Sequence, residues 1–178
     1  IWMYIFHTLN TRNPILPPAM FLDRNFVTSI IFMFFVGLIL LATVALLPPY
    51  MQNLMGYSVL DVGTLMAPRG IGTMIGMGIV GKLINYVDPR ALILTGLSFT
   101  IASLYTMTGF STFVPADTIV WTGLMQGFGL GLIFVPLSTI AYATLNPKYR
   151  AEAASVFNLT RNLGSSIGIS IVMTVLSR

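Results

Sequence analysis

The 178-residue sequence has no cysteine, one histidine and very little charge. Without cysteine there can be no disulfide scaffold, thiolate catalysis or cysteine-ligated metal site. Charged residues make up 8% of the chain, against about 25% in an ordinary soluble domain, which is too few to cover a soluble surface. Disorder is excluded as well, because 56% of the residues are hydrophobic and the net charge is only +4. The composition therefore predicts a membrane protein, and we expect no metal and no organic cofactor.

Five long apolar runs are present, each about 20 residues or more, which is the length of a helix that crosses a bilayer. Short gaps with turn-forming residues, such as Pro48-Pro49 and Asp88-Pro89, separate them, so successive helices should pack antiparallel. Strands of a membrane barrel would be about 10 residues long and alternate in polarity, and these runs do neither. The predicted fold class is all-α, a polytopic transmembrane helix bundle with helices at about 26–50, 61–82, 90–110, 117–145 and 150–177.

Lys and Arg alternate between successive connections, which predicts the orientation of the helices. Segments 1–25, 82–90 and 146–151 contain six basic residues, whereas 48–61 and 111–117 contain none. Basic loops lie on the cytoplasmic side, so we expect a multi-pass protein of the cell inner (plasma) membrane. A nucleic-acid partner is not expected, because the basic residues do not cluster on a soluble face. Residues 1–25 are predicted to hold the end of a preceding helix and a cytoplasmic loop, as in a fragment of a larger bundle.

Small residues recur at spacings of four within the predicted helices. Such rows let helix backbones approach closely in lipid. The simplest interpretation is that the glycines serve static packing between helices. The alternative is that so many glycines, together with Pro136, mark helices that slide or bend. The candidate packing glycines are Gly72, Gly76, Gly123, Gly127, Gly131, Gly164 and Gly168.

Polar residues inside the spans are the candidates for a functional site. A buried cation is costly unless it is paired or reaches water, so Arg69 and Arg161 are expected to face a cavity or an interface. The alternatives are that these side chains extend to the nearer membrane surface or have a structural partner. Asn158 and Arg161 are three residues apart and share a helix face. The substrate-cavity or interface candidates are Arg69, Gln126, Asn158 and Arg161.

Two further absences limit the chemistry. Gly164 to Gly168 match the G-x-S-x-G pattern of hydrolases, but the only histidine is His7, far away in a predicted loop, so we expect no enzyme and no catalytic residue. No Asp or Glu lies in the middle of a predicted span. Proton-driven transporters usually depend on a membrane-embedded carboxylate or histidine. If the protein moves protons, the titrating group should therefore lie outside this sequence.

The segment 81–90 resembles the cytoplasmic loop signature of the major facilitator superfamily, G-x-L-a-D-r-x-G-r-r/k. Gly81, Leu83 and Arg90 match it, whereas Asn85 replaces the usual Asp and Asp88 the usual Gly. Segments 47–52, 67–70, 135–140 and above all 150–168 resemble the EmrB/QacA-type drug:proton antiporters, the fourteen-helix branch. The resemblance assigns a cytoplasmic gate loop to Gly81, Lys82, Leu83, Asn85, Asp88 and Arg90.

This resemblance implies the first five of the six helices in the C-terminal half of such a transporter. It implies a proton-coupled multidrug efflux antiporter that exports amphipathic toxic compounds by alternating access, with the proton gradient as energy source. The first, second, fourth and fifth helices would line the central cavity or the interface between halves. The implied partners are the lipid bilayer, small amphipathic drugs, the N-terminal half of the same transporter, a periplasmic adaptor and an outer-membrane channel.

The sequence is also compatible with two other functions. The chain could belong to a same-fold exporter of one specific substrate, such as a siderophore, an antibiotic or a lipid. It could also be a non-transport structural membrane subunit, for which Arg161→Ala would disturb assembly and leave efflux unchanged.

Overall fold

The computed structural model describes residues 18–176, and this part of the chain is an all-α bundle without strands. The expected end of a preceding helix in the first residues lies outside the described part. Five α-helices are joined by short connections, and short 3-10 helices stand at Pro18–Leu22 and Pro147–Tyr149. The α-helices are α1 (Arg24–Asn53), α2 (Val59–Leu83), α3 (Pro89–Thr108), α4 (Ala116–Ala143) and α5 (Arg150–Leu176).

Three of the five acidic residues lie at the N-terminal ends of helices. The Asp23 carboxylate accepts hydrogen bonds from the backbone N–H groups of Asn25 and Phe26 at the start of α1. Ser58 and Asp61 form a reciprocal capping box on α2, and Asp88 accepts from the Arg90 N–H on α3. A carboxylate here satisfies free N–H groups and faces the positive end of the helix dipole. Helix capping therefore accounts for these acids at helix ends.

The first helix is longer than the sequence suggested, because it continues through Pro48 and Pro49 to Asn53. Each proline removes one hydrogen bond to the carbonyl four residues earlier, but membrane helices accept this where neighbouring groups compensate. The chain reverses after the prolines, at Gly56, whose φ of 73° is the left-handed conformation that glycine adopts without strain. The proline pair thus lies inside α1, and the glycine makes the turn.

The helix α4 is the centre of the bundle and packs against α2, α3 and α1, whereas α5 packs mainly against α1. By length and hydropathy α1, α3 and α4 can each cross a membrane. Large apolar side chains such as Phe35, Tyr105 and Trp121 are exposed on the outside of the bundle. In water such a surface would aggregate, whereas in lipid it is the expected exterior.

The basic segments gather at one end of the bundle. The Thr144 hydroxyl, just after α4, donates to the Asp23 carboxylate, and the Asn25 Nδ2 donates to Thr144 Oγ1 over 3.3 Å. The bond from Thr144, with those from the Phe26 and Asn25 N–H groups, holds the pKa of Asp23 below its ordinary value. The 82–90 connection lies at this end too, where Arg90 and Asn25 border the same groove. This arrangement agrees with the alternation of basic loops in the sequence.

Candidate functional site

The helices α2 and α4 meet backbone to backbone along what we call the glycine seam (Gly72, Gly76, Gly123, Gly127 and Gly131). A Cβ atom added to Gly72 would collide with the Leu124 carbonyl, and one added to Gly127 would collide with the Arg69 carbonyl. On the neighbouring face of α4, a Cβ on Gly129 would lie 2.6 Å from the Gly96 carbonyl oxygen of α3. Only glycine permits this separation between the helices.

The helices α1 and α5 meet in the same way. The Arg161 carbonyl lies against Gly37, and the Phe34 and Leu38 carbonyls lie against Gly164 and Gly168. The buried Ser165 hydroxyl donates to the Gly37 carbonyl oxygen over 3.1 Å. The structure therefore places every packing glycine proposed from the sequence at a helix–helix contact.

The glycine seam fixes where the Arg69 side chain leaves α2. Because the Arg69 backbone is pressed against Gly127 of α4, the side chain extends beside α4 towards α1. Its Nη2 donates to the Leu40 carbonyl oxygen of α1 over 3.3 Å. Its Nη1 is buried and has no hydrogen-bond partner within residues 18–176.

Gln126 of α4 reaches the same turn of α1 and is fully buried. Its Nε2 donates to Thr43 Oγ1 over 3.2 Å, and the Thr43 hydroxyl donates to the Ile39 carbonyl oxygen over 2.7 Å. The Gln126 Oε1 has no partner in the described part of the chain. Leu40 and Thr43 are three residues apart and share a face of α1. We call Arg69, Gln126, Thr43 and the Leu40 carbonyl the polar junction.

Arg161 of α5 borders a cavity of about 200 Å³ between α1, α4 and α5. The side chain is half-buried, and its guanidinium makes no hydrogen bond or ion pair within the described residues. A cation that is unpaired at this depth is expected to face a cavity or an interface, as Arg161 does. The other residues that line the cavity are Gly37, Leu40, Leu41, Phe134, Asn162 and Ser165.

Asn158 does not join this site. Its side chain is exposed, and its Nδ2 donates to the Ala154 carbonyl oxygen of its own helix over 2.9 Å. The asparagine that lines the Arg161 cavity is Asn162, one turn further along α5.

The residues of the predicted gate loop are exposed and lie at the α2–α3 connection. Gly81, Lys82 and Leu83 end α2, Asn85 stands in the turn, and Asp88 and Arg90 begin α3. The carboxylate of Asp88 accepts from the backbone N–H of Arg90 over 2.9 Å. In the described structure it forms no ion pair with Lys82 or with the Arg90 guanidinium.

Sequence reasoning missed Thr43 and Leu40 of the polar junction. A signal for Thr43 was present, because it is the only residue with a polar side chain between Ile30 and Leu47. No signal pointed to Leu40, since its carbonyl is a backbone group and its side chain is one of many leucines. Among residues 18–176, no group of His, Asp and Glu side chains could hold a metal ion.

Comparison with known proteins agrees with this architecture. The sequence profile described as Major Facilitator Superfamily matches residues 7–169. The "Probable multidrug resistance protein EmrY" of Escherichia coli strain K12 is 32% identical over 173 residues, which cover 94% of this chain and 33% of that protein. The "Fatty acid resistance protein FarB" of Neisseria gonorrhoeae is 30% identical over 180 residues, 98% of this chain and 34% of that protein.

A third relative matches this chain to a similar extent. The "Multidrug export protein EmrB" of E. coli K12 is 30% identical over 168 residues, 94% of this chain and 33% of that protein. The chain thus spans about a third of the length of these relatives. It belongs to the Major Facilitator Superfamily and resembles the EmrB/QacA-type drug transporters of that family.

Proposed function

We propose that this chain is part of a proton-coupled multidrug efflux antiporter, which exports amphipathic toxic compounds across the inner membrane by alternating access. The observation that carries this proposal is the cavity at Arg161, in which an unpaired cation stands beside apolar walls from Leu40, Leu41 and Phe134. Binding sites for small molecules are mostly apolar and carry few polar groups, which fix the orientation of the ligand. An amphipathic compound presents the same combination of surfaces.

The close packing supports the proposal that two pairs of helices move as rigid units during transport. The glycine contacts join α2 to α4 and α1 to α5 over long stretches of backbone, so each pair should move as one body. The exposed turn from Gly81 to Arg90 is then free to contact another part of the transporter in one state of the cycle. The partners that we propose are an N-terminal half, a periplasmic adaptor and an outer-membrane channel.

Proton coupling requires a titratable group at depth. The described acids are Asp23, Asp61, Asp88, Asp117 and Glu152, and all of them lie at or near helix ends. We therefore assign the coupling carboxylate to another part of the transporter. Efflux by cells that produce the whole protein should stop when the transmembrane proton gradient is dissipated at constant ATP.

The test of the cavity compares Arg161→Ala with Arg161→Lys. We expect the alanine variant to lose most drug efflux and the lysine variant to keep a substantial part, because lysine retains the charge. Efflux is measured as intracellular accumulation of a fluorescent drug, and Arg150→Ala, at the exposed start of α5, is the matched control. Unchanged efflux with impaired assembly in Arg161→Ala would instead support a structural membrane subunit.

An exporter of one specific substrate is the second candidate. The names of two relatives favour it, since they refer to fatty acid resistance and, in Listeria monocytogenes, to "Lincomycin resistance protein LmrB", which is 23% identical over 175 residues. A panel of chemically unrelated drugs separates the two functions. A multidrug exporter should lower the accumulation of several compounds, whereas a specific exporter should act on one.

A further inference from the structure

Two pairs of helices are packed more closely within themselves than against each other. The helix α2 packs extensively on α4, and α1 packs extensively on α5. Among the described residues, the close glycine contacts between helices lie within these pairs or between α3 and α4, and none joins α1 to α4. The contact between α1 and α4 is therefore made through side chains, which can rotate to new partners.

The polar junction joins these two pairs at one turn of α1. From α2, the Arg69 Nη2 donates to the Leu40 carbonyl oxygen over 3.3 Å. From α4, the Gln126 Nε2 donates to Thr43 Oγ1 over 3.2 Å. Further hydrogen bonds between the pairs lie at the water-exposed end, around Thr144. The junction therefore holds α1 at depth, whereas the contacts at Thr144 hold only its first turn.

Each of the two side chains that reach α1 has one polar atom left over. The Arg69 Nη1 is a buried donor and the Gln126 Oε1 a buried acceptor, and neither has a partner in the described part of the chain. Buried polar atoms are nearly always hydrogen-bonded. A guanidinium N–H and an amide oxygen are a matched donor and acceptor. Since both residues belong to the α2–α4 pair, these two atoms can satisfy each other without any group of α1.

The glycine seam keeps Arg69 and Gln126 within reach of each other. The Arg69 Cβ lies 3.8 Å from the position that a Cβ on Gly123 would occupy. Gln126 is three residues further along α4, and Cβ atoms at this spacing are about 5–6 Å apart. The Cβ atoms of Arg69 and Gln126 are therefore at most about 10 Å apart, a distance that the two side chains span when both extend.

Separation of α1 from the junction leaves no polar group of α1 without a partner. The Leu40 carbonyl lies inside α1, where it accepts the backbone bond of the helix. The Thr43 hydroxyl donates to the Ile39 carbonyl oxygen over 2.7 Å. Two bonds to α1 are thus exchanged for one bond that pairs both leftover atoms of Arg69 and Gln126. The two arrangements are close in free energy, which is the condition for a two-state element.

We propose that the polar junction is an exchangeable latch between the two pairs of helices. In this structure Arg69 and Gln126 hold α1 through Leu40 and Thr43. When α1 moves away from α4, the Arg69 Nη1 donates to the Gln126 Oε1, and the α2–α4 pair satisfies its own polar groups. This inference rests on the proposed function, in which the pairs move as rigid units, and it names the contact that changes.

The test measures the distance between α1 and α4 in the whole transporter, reconstituted in lipid nanodiscs. The 178-residue sequence has no cysteine, so cysteines at Gln52 and Asp117 can carry spin labels once any others in the transporter are replaced. Both positions are exposed and lie at the end of the bundle opposite Thr144. Double electron–electron resonance should give two distances, and the share of the longer one reports the separated state.

Variants of the junction should change this share in a characteristic order. Thr43→Val removes only a bond of the joined state, so the ratio of separated to joined protein should rise about fivefold, the factor for one hydrogen bond. Thr43→Ser keeps the hydroxyl and is the matched control, with no change. Gln126→Met breaks the same bond to Thr43 but also removes the acceptor of Arg69, so its shift should be smaller.

A cryo-electron microscopy structure of the separated state, determined with Thr43→Val, tests the exchange directly. We expect the Arg69 Nη1 within hydrogen-bond distance of the Gln126 Oε1. A separated state in which Arg69 still bonds to Leu40, or in which Arg69 and Gln126 stay apart, would overturn the proposal. Equal shifts in Thr43→Val and Gln126→Met, or one fixed distance in the unaltered protein and in Thr43→Val, would overturn it as well.

Two further measurements separate the latch from the function on which it rests. Size-exclusion profiles and melting temperatures show whether each variant is folded. Efflux of a fluorescent drug is measured in cells that produce the unaltered transporter. Efflux at one fixed distance between α1 and α4 contradicts only the latch, whereas no efflux of any compound contradicts the proposed function.

Discussion

The glycine seam lies between α2 and α4, and the polar junction lies beside it, where Arg69 and Gln126 reach α1. The two regions differ in how completely their groups are paired. In the seam, backbone contacts backbone, and an added Cβ would meet a carbonyl oxygen at Gly72, Gly76, Gly127 and Gly131. In the junction, the Arg69 Nη1 and the Gln126 Oε1 are buried without a partner in the described structure. Arg69 belongs to both regions, since its carbonyl contacts Gly127 and its guanidinium reaches Leu40.

Close packing in the seam and incomplete pairing in the junction have different consequences for stability. Lipid does not drive helices together by the hydrophobic effect, so close van der Waals contact has to hold them. A surface packed so closely leaves no space for a ligand. Buried polar atoms without a partner lower stability, and such sites are commonly functional. We therefore expect substitutions in the seam to cost more folding stability than substitutions in the junction.

The largest effect should come from Gly76→Val in the seam, compared with Gly78→Val two residues further along α2. A Cβ on Gly76 would lie 2.6 Å from the Phe128 carbonyl oxygen, whereas one on Gly78 would meet nothing within 4 Å. We expect Gly76→Val to lower the free energy of unfolding by about 3 kcal/mol, as overpacking does, and Gly78→Val to have little effect. Thermal melting of the purified protein in detergent measures both, and equal losses would contradict close packing at the seam.

An intermediate effect is expected from Thr43→Val in the junction. This change removes the acceptor of the Gln126 Nε2 and leaves a fully buried amide without a partner, which costs about 1–3 kcal/mol. Gln126→Leu should instead be nearly neutral for stability, because it removes the unpaired oxygen together with the amide.

The double variant Thr43→Val/Gln126→Leu completes a double-mutant cycle for this junction. It should regain most of the stability that Thr43→Val loses, because no buried amide is left unpaired. Additive losses in chemical or thermal unfolding would show that the two side chains do not interact.

The smallest effect should come from the hydrogen bond at the water-exposed end of the bundle. The Thr144 hydroxyl holds the pKa of Asp23 below its ordinary value. The ionised Asp23 therefore stabilises the folded state above the unfolded pKa, near 3.8, and this contribution is lost as the pH falls through the lower folded pKa. Thr144→Val should reduce stability by about 0.5 kcal/mol or less at neutral pH, since exposed contacts are screened.

The pH dependence distinguishes this bond from a packing effect. The stabilities of the unaltered protein and of Thr144→Val, measured from pH 6 down to pH 2.5, should converge at the acid end. A difference that is constant over the whole range would mean that Thr144 acts through packing and not through the Asp23 carboxylate.

Local features of the sequence predicted much of the fold. The apolar runs and the basic segments anticipated five helices with the basic connections at one end. The expectation that successive helices pack against each other was wrong for all pairs except α3 and α4, because α2 packs on α4 and α1 packs on α5. The spacing of four residues between Gly123, Gly127 and Gly131 placed them on one face of α4, where the structure has the contact with α2. These properties follow from helix periodicity and from the length of one span, which are local.

The candidate site was predicted less completely. Arg69, Gln126 and Arg161 stood out as polar residues within apolar runs, and the structure brings all three to one stretch of α1. Asn158 stood out for the same reason, yet its side chain is exposed and lies outside the cavity lining. The i, i+3 spacing gives the face that two residues share, but it does not tell what that face contacts.

Scarce charge and long apolar runs are enough to specify a helical membrane bundle, because they leave no other stable arrangement of the backbone in lipid. The sequence also shows which polar side chains lie within the apolar runs. Which partners these side chains have is a property of the packed bundle, in which Arg69 bonds to the Leu40 carbonyl and Arg161 borders the cavity that Leu40 lines. That juxtaposition depends on the rotation of each helix about its axis, which is fixed by glycine contacts between segments far apart in the chain.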